Sequence, residues 1–212
     1  MIRHFLLFIL CATAVVTTSN AQKGKSTRDT SIPLKAPAGK AIAAFAEGCF
    51  WCSEHIFEAV VGVDSAVSGY AGGTAVNPSY ALVNTETTGH AESVLVYYDP
   101  KVVSYADLLK VFFTSHDPTT VDRQGPDQGN SYRSVIFYST PEEKKLAVQA
   151  KRTFAASFKD PIVTEITSLT AFYRAEEYHQ NFVDFNPNNP YVQGVSMPRF
   201  DKFRRICKLK LR

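Results

Sequence analysis

Two cysteines separated by two aromatic residues form the segment of this chain best suited to chemistry. The segment Gly48-Cys49-Phe50-Trp51-Cys52 follows the short apolar run 41–46. An apolar run that ends in glycine predicts a buried strand meeting a turn, and the apolar spacing over residues 53–61 predicts a helix beyond it. A thiol at a helix start faces unpaired amides and the positive end of the helix dipole, which favour the nucleophilic thiolate. Cys49 is therefore the candidate nucleophile.

A Cys-x-x-Cys pair at such a junction is compatible with more than one chemistry. It fits a thioredoxin-like redox pair, and it could also supply half of a zinc site. The zinc interpretation needs a second cluster of ligands, which the sequence lacks, and haem attachment needs histidine where Ser53 stands. Cys11 lies in an N-terminal segment, residues 1–21, that is expected to be removed, so three cysteines remain, at positions 49, 52 and 207. An odd number in an exported domain indicates a reactive thiol rather than a disulfide scaffold.

The N-terminal residues predict export. Arg3 and His4 precede the apolar run 5–16, and small residues end at Ala21, which is typical of a signal peptide spanning residues 1–21. The run is too short for a membrane span, so we expect no stable membrane insertion after cleavage and a periplasmic or extracellular protein. A lipoprotein site at Cys11 is disfavoured because bulky Leu10 precedes it.

The rest of the chain predicts one domain. Residues 22–40 are polar, contain two prolines and predict a disordered linker, which leaves a single domain over residues 41–212. The net charge of +3 is small and scattered, so we expect no nucleic-acid partner. The basic residues of the tail 202–212 alternate with apolar ones, as on a solvated face.

Alternating strands and helices set the predicted architecture. Further strands are predicted at 63–70, 93–98, 134–138 and 162–168. Ser104 predicts a helix start with Asp107 completing a capping box, and Thr140 predicts another with proline at its first position. The polar stretch 117–130 predicts a long loop, and loops of that length inside a compact domain are usually functional or disordered. Together these features predict an α/β sandwich, a sheet covered by helices.

A series of short motifs in fixed order is more specific than the cysteine pair. The motifs are Gly48-Cys49-Phe50-Trp51, Gly69-Tyr70-Ala71-Gly72-Gly73, Asn77-Pro78-Ser79-Tyr80, Thr88-Gly89-His90-Ala91-Glu92, Tyr98-Asp99-Pro100, His116-Asp117-Pro118-Thr119, Asp122-Arg123-Gln124-Gly125, Asp127-Gln128-Gly129, Tyr132-Arg133-Ser134 and Ala175-Glu176-Glu177-Tyr178-His179-Gln180. This series resembles peptide methionine sulfoxide reductase of the A class over roughly residues 41–205. The resemblance implies a ferredoxin-like plait, with a mixed sheet covered by helices and an irregular C-terminal tail.

The resemblance also implies roles for individual residues. Cys49 matches the cysteine that attacks the sulfoxide sulfur, and Glu92 matches the acid that protonates the sulfoxide oxygen. Tyr80 and Tyr132 match tyrosines that hydrogen-bond this oxygen, and Asp127 matches a substrate-binding aspartate. The aromatic side chains at positions 50 and 51, Phe50 and Trp51, would surround the substrate methyl group. His90 and His179 are interpreted as structural or supporting groups.

The second half of the implied cycle is where this sequence departs from the family pattern. Attack leaves Cys49 as a sulfenic acid, which a nearby thiol condenses to a disulfide. Many family members have glycine after the tryptophan and resolving cysteines in the tail, whereas this chain has Cys52 in that place and one tail cysteine, Cys207. Cys52, over the first helical turn, is within plausible disulfide reach and is the favoured resolving residue, with Cys207 as the alternative.

The function implied is therefore reduction of methionine S-sulfoxide, free or in oxidised proteins, by a monomer. The resemblance implies no metal, flavin or nicotinamide cofactor, and a thioredoxin-like dithiol protein as electron donor. A thioredoxin-like disulfide oxidoreductase that uses Cys49 and Cys52 is the rival enzyme, and it would not need Glu92. An exported binding module whose thiols hold a metal is the non-enzymatic rival.

Overall fold

A mixed sheet packed between helices and an N-terminal segment forms the protein. The computed structural model describes residues 29–212, so the predicted signal peptide and the linker residues 22–28 lie outside the described residues. The strands are β1 Ala41–Glu47, β2 Val63–Ala71, β3 Ala91–Tyr98, β4 Arg123–Gln124, β5 Asp127–Gln128, β6 Ser134–Tyr138, β7 Glu165–Ser168 and β8 Phe172–Arg174. The α-helices are α1 Phe50–Glu58, α2 Tyr80–Val83, α3 Tyr105–Ser115, α4 Pro141–Ala155, α5 Phe182–Phe185 and α6 Met197–Ile206.

Six strands form the main sheet in the order β7-β6-β1-β3-β2-β8. All its neighbours pair antiparallel except β6 and β7, which are parallel, so the sheet is mixed. The short strands β4 and β5 form a separate hairpin within the predicted loop. The α/β sandwich predicted from the sequence is confirmed. In the part of the chain that the structure describes, no helix is long and apolar enough to cross a bilayer.

The central strand β1 is buried on both faces, which explains its continuous apolar sequence. On the helix side, the Phe45 ring stacks on Phe57 of α1 at a centroid distance of 5.0 Å and lies 5.6 Å from Phe112 of α3. Its opposite face presents Ile42 and Ala44 to a second apolar cluster. The strand that leads into Cys49 is therefore held in the core from both sides.

Local capping chemistry determines where two helices begin. The Ser104 hydroxyl accepts from the Asp107 amide at 3.1 Å, and the Asp107 carboxylate accepts from the Ser104 amide, so the predicted capping box is present. Thr140 caps α4 with Pro141 at its first position. Two helical features differ from the prediction. Helix α1 begins at Phe50 rather than residue 53, and the tail contains the ten-residue helix α6.

Residues 29–40 correct the prediction of a linker disordered throughout. The Ile32 amide donates to the Phe172 carbonyl at 2.8 Å, and the Arg174 amide donates to the Thr30 carbonyl at 2.8 Å. Ile32, Leu34 and Ala36 then pack against the second apolar cluster of the sheet. These three alternate with polar residues and prolines, and the period of two lets one side of an extended segment cover the sheet.

Replacing Ile32 or Leu34 with serine is expected to reduce the free energy of unfolding by roughly 1 kcal/mol each, because each substitution removes a half-buried aliphatic group from the outer cluster. Denaturant titration of the purified domain measures this loss. Lys35→Ser, at the exposed position between them, is the matched control and should change stability by less than about 0.5 kcal/mol. Equal effects at all three positions would show that the segment does not pack on the sheet.

Candidate active site

Cys49 lies at the turn between β1 and α1 and is the N-cap residue of that helix. Gly48 before it has a φ of +89°, a conformation that favours glycine. A Cβ atom at this position would lie 2.5 Å from Cβ of Gln124, in the β4–β5 hairpin. The hairpin therefore packs closely against the turn that carries Cys49, a residue that is only 6% exposed.

The first amide of α1 is used by an acid rather than by the thiol. The Phe50 N–H donates to Oε2 of Glu92 at 3.1 Å. Among the residues that the structure describes, the Cys49 side chain caps no amide of α1. Burial, and a hydrogen bond that the thiol donates to Cys52, raise the pKa of Cys49 well above its usual range. The expectation that the helix start favours a Cys49 thiolate is therefore wrong for the free protein, because burial outweighs the helix dipole.

Glu92 is a buried acid beside this thiol. It lies in β3 and is 2% exposed. Burial raises its pKa to about 8, although the hydrogen bond from the Phe50 amide opposes the shift and the charge of Asp127 adds to it. A carboxyl group with this pKa is largely protonated near neutral pH and can donate a proton to a bound substrate.

Three tyrosines surround the thiol and the acid. Tyr80 begins α2, and its amide donates to Glu176 Oε1 at 2.9 Å, which fixes the start of that short helix. Tyr132 ends the 3₁₀ turn that follows β5. Burial raises the pKa of both phenols, and the nearby charges of Glu92 and Cys49 raise them further. Both therefore stay protonated and can donate hydrogen bonds.

Tyr191 is a site residue that the sequence analysis missed. Its hydroxyl donates to Asp127 Oδ2 at 2.5 Å, and its interaction with Cys49 opposes the raised pKa of that thiol. It also packs edge-on against Trp51, with ring centroids 5.7 Å apart. The Asn- and Pro-rich segment around Tyr191 has no periodicity that could have identified it, and Asp127 lies 64 positions away in sequence.

Aromatic side chains form one side of the site. The Trp51 ring is partly exposed, stacks on Phe182 at a centroid distance of 3.7 Å, and donates from Nε1 to His179 Nδ1 at 3.0 Å. Burial lowers the pKa of His179 to about 4, so this histidine is neutral and accepts the indole proton. Phe50 is 1% exposed and packs on Tyr70 and the His179 ring. Trp51 is thus the open aromatic surface, and Phe50 supports it from the core.

The two candidate resolving cysteines have different surroundings. Cys52 lies on the first turn of α1, accepts the hydrogen bond of Cys49 and is 3.2 Å from the Ser196 hydroxyl. The bond from Cys49 lowers the pKa of Cys52 to about 6, with burial opposing and the charge of Arg199 contributing. Cys207 ends α6 and borders a groove with Lys110 and Phe154. It lies eight residues beyond Arg199, or roughly 12 Å along the helix.

These groups define the class of protein. A buried thiol, a second thiol one helical turn away and a protonated carboxyl group are the components of a thiol-based oxidoreductase. Within residues 29–212, no group of three or more histidine, cysteine, aspartate or glutamate side chains is placed to hold a metal ion.

Comparison with known proteins identifies the family. The model of the family peptide methionine sulfoxide reductase matches residues 41–210. Peptide methionine sulfoxide reductase MsrA 1 of Rhodopirellula baltica is 47% identical over 174 residues, which cover 82% of this chain and 91% of the relative. The chain belongs to the peptide methionine sulfoxide reductase family.

Solved structures agree with this assignment. Reduced Mxr1 from Saccharomyces cerevisiae is 35% identical with a TM-score of 0.70, and the match covers 73% of this chain and 91% of Mxr1. Mxr1 in complex with Trx2 matches with a TM-score of 0.51 and 28% identity, over 70% of this chain and 88% of Mxr1.

The raised pKa of Glu92 predicts a pH-dependent effect on stability. An acid whose pKa is higher in the folded state destabilises the fold as pH rises from about 4.5 towards 8. Glu92→Gln removes this penalty, so its stability relative to the unaltered protein should increase by ~2 kcal/mol or more between pH 5 and pH 8. Urea titrations at the two pH values measure the difference. Glu142→Gln, an exposed position in α4, is the control and should give no such change; a flat difference for Glu92→Gln would refute the buried-acid assignment.

Proposed function

We propose that this protein reduces methionine sulfoxide, free or within oxidised proteins, to methionine, with preference for the S epimer at sulfur. The observation that carries the proposal is the protonated Glu92 carboxyl group bound to the first amide of the helix that begins after Cys49. Reduction of a sulfoxide needs both a nucleophilic sulfur and a proton for the departing oxygen, and this arrangement supplies the two side by side.

In the first step, the Cys49 sulfur attacks the sulfoxide sulfur while Glu92 protonates its oxygen. An S–S bond forms between Cys49 and the substrate while the S–O bond of the substrate breaks, and the protonated oxygen leaves as water. A water molecule then attacks the Cys49 sulfur, the S–S bond breaks, methionine leaves and Cys49 becomes a sulfenic acid, so cysteine loses the two electrons that the sulfoxide gains. We propose that the protonated hydroxyls of Tyr80 and Tyr132 donate to the S=O dipole. Since Cys49 begins as a thiol that donates to Cys52, its proton can pass towards the Cys52 sulfur as it attacks.

The substrate methyl group is proposed to lie against the partly exposed Trp51 ring. His179 and Phe182 hold this ring in place through the hydrogen bond and the stacking described above. Asp127, held by Tyr191, presents a carboxyl group that can accept from the amide of a peptide substrate. The apolar surface of Trp51 suits the substrate methyl group, and the tyrosine hydroxyls suit the S=O dipole.

In the second step, we infer that Cys52 resolves the sulfenic acid. Residues three apart on a helix have Cβ atoms about 5–6 Å apart, so little movement is needed to bring the two sulfurs together. Cys207 lies at the far end of α6, so this helix would have to unfold or shift to bring Cys207 to Cys49. The resulting disulfide would then be reduced by a thioredoxin-like dithiol partner, as the complex of the similar protein Mxr1 with Trx2 suggests.

We further propose that this reaction takes place outside the cytoplasm and in a monomer. The basic, apolar and small-residue pattern of residues 1–21 supports export. The groups of the described site come from one chain, which supports activity as a monomer. The N-terminal sequence of the mature protein after cell fractionation tests export, and a start at Gln22 outside the cytoplasm is the expected result.

Glu92→Gln is expected to lower the rate of methionine release by 10²-fold or more, because the amide can still donate a hydrogen bond but cannot supply a proton. Cys49→Ser is expected to abolish release altogether. Single-turnover release of methionine from each sulfoxide epimer by pre-reduced protein measures both. A thioredoxin-like disulfide oxidoreductase would not need the acid, so a near-normal rate of disulfide reduction in Glu92→Gln, together with no sulfoxide turnover in the unaltered protein, would favour that rival.

Cys52→Ser is expected to release about one equivalent of methionine, more slowly than the unaltered protein, and then to stop with Cys49 as a sulfenic acid, because serine cannot form the disulfide. Cys207→Ser, the matched control, should turn over repeatedly with a dithiol reductant. Peptide mass mapping after one turnover identifies the bond. A Cys49–Cys207 link in the unaltered protein would transfer the resolving role to the tail.

A further inference from the structure

A buried ion pair lies behind the two cysteines, and the reaction described above does not use it. Glu47 is the last residue of β1, directly before Gly48, and is fully buried. Its Oε1 pairs with Nη2 of Arg199 at 2.7 Å, and its Oε2 accepts from the Ser115 hydroxyl at 2.7 Å. The Arg199 Nε donates to the Ser115 carbonyl at 2.8 Å. Three elements, β1, α3 and α6, thus hold one guanidinium in a single orientation.

This guanidinium faces the cysteine helix. Arg199 and Cys52 line the same cavity of about 320 Å³, between α6 and the β4–β5 hairpin. A Cβ atom at Gly48 would lie 3.7 Å from Nη1 of Arg199, so the cation also borders the turn that carries Cys49. The side chain of Arg199 is 12% exposed, and its attraction for a nearby thiolate is therefore weakly screened.

Among the described residues that line this cavity, Arg199 is the largely buried cation, whereas the cation Lys202 is exposed. His116 approaches Glu47 at 3.6 Å, but burial lowers its pKa to about 3 and keeps it neutral. The titratable and charged groups that act on Cys52 or respond to its charge are Cys49, Glu47, Glu92, Asp127, Tyr191 and Arg199. The carboxyl groups and the tyrosine disfavour a charge on Cys52, whereas Arg199 favours one.

We propose that Arg199, oriented by Glu47, is a positioning residue for the resolving step, in which it stabilises the Cys52 thiolate that attacks the Cys49 sulfenic acid. This inference rests on the proposed function, with Cys52 as resolving residue. In the step, the Cys52 sulfur forms an S–S bond with Cys49 while the Cys49 S–O bond breaks. The oxygen leaves as hydroxide and takes up a proton to become water. Ser196, 3.2 Å from Cys52, holds the same sulfur from the other side of the cavity.

The ion pair also links the two ends of the structure that the step requires. Cys49 follows Glu47 by two residues. Arg199 lies in the first turn of α6, and Ser196 and Tyr191 come shortly before that helix in the chain. Pairing of Glu47 with Arg199 therefore brings the tail against the cysteine turn. The lowered pKa of Cys52, to which the charge of Arg199 contributes, agrees with this arrangement.

The test measures two products of one turnover. Pre-reduced protein is mixed with methionine sulfoxide and quenched at intervals, and the methionine released is compared with the Cys49–Cys52 disulfide formed. A cyclic 1,3-diketone traps any remaining sulfenic acid. In the unaltered protein the ratio of disulfide to methionine should stay near one at neutral pH and should fall at acid pH, as Cys52 becomes protonated.

Arg199→Met should make disulfide formation at pH 7 about tenfold slower, with trapped sulfenic acid accounting for the missing disulfide. It should also raise the pH at which the ratio falls by about one unit. Arg199→Lys keeps the charge and should recover most of the rate. Lys202→Met removes an exposed cation from the border of the same cavity and is the control, with an unchanged ratio.

A second variant separates this role from a purely structural one. Arg199→Met leaves Glu47 buried without its cation, which alone could impair folding. In the double variant Glu47→Gln/Arg199→Met no charge is left unpaired, and the slow disulfide step and shifted pH profile should persist. A ratio near one at pH 7 in this folded double variant would overturn the proposal. Absence of methionine release from the unaltered protein would instead refute the proposed function itself.

Discussion

The hydrogen bond from the Phe50 amide to the buried Glu92 carboxyl group is the interaction on which the site depends. It joins α1, whose N-cap and first turn carry the two cysteines, to strand β3, which carries the acid. It also uses an amide that a thiol at the N-cap would otherwise attract. Because a carboxyl group buried beside other acids is costly to ionise, Glu92 holds its proton near neutral pH. The bond therefore holds the acid beside the cysteine helix, while burial raises the pKa of both Glu92 and Cys49.

The pKa values of the two buried cysteines are shifted in opposite directions by their hydrogen bond and their neighbours. The turn that carries Cys49 packs against the β4–β5 hairpin and Cys49 is held as a thiol, whereas Cys52 receives its hydrogen bond and faces Arg199. In the free protein, these shifts favour a thiol at Cys49 and a thiolate at Cys52. This division fits a cycle in which Cys49 reacts with a substrate under acid catalysis and Cys52 reacts afterwards as a thiolate.

Several features of the fold could be predicted because their causes are local. The capping box of Ser104 and Asp107 and the proline after Thr140 involve residues a few positions apart, and they mark helix starts correctly. The continuous apolar sequence of β1 reflects a strand buried on both faces. The segment 29–40 was predicted wrongly, since prolines and charges obscured the alternation of Ile32, Leu34 and Ala36. Its order depends on a sheet surface that composition does not reveal.

The sequence by itself determined the candidate site residues and the family they resemble, because the ordered motifs around Cys49, Glu92, Tyr80, Tyr132 and Asp127 are short and chemically distinctive. It could not determine protonation states, since these depend on burial and on charges distant in sequence. Tertiary structure decided that Cys49 is a thiol, that Tyr191 bonds Asp127, and that Arg199 lies behind Cys52. Each of these results requires the last 25 residues to pack against the cysteine turn, about 150 positions earlier (as in the contact of Glu47 with Arg199, which spans 152). No local pattern records a contact over that separation.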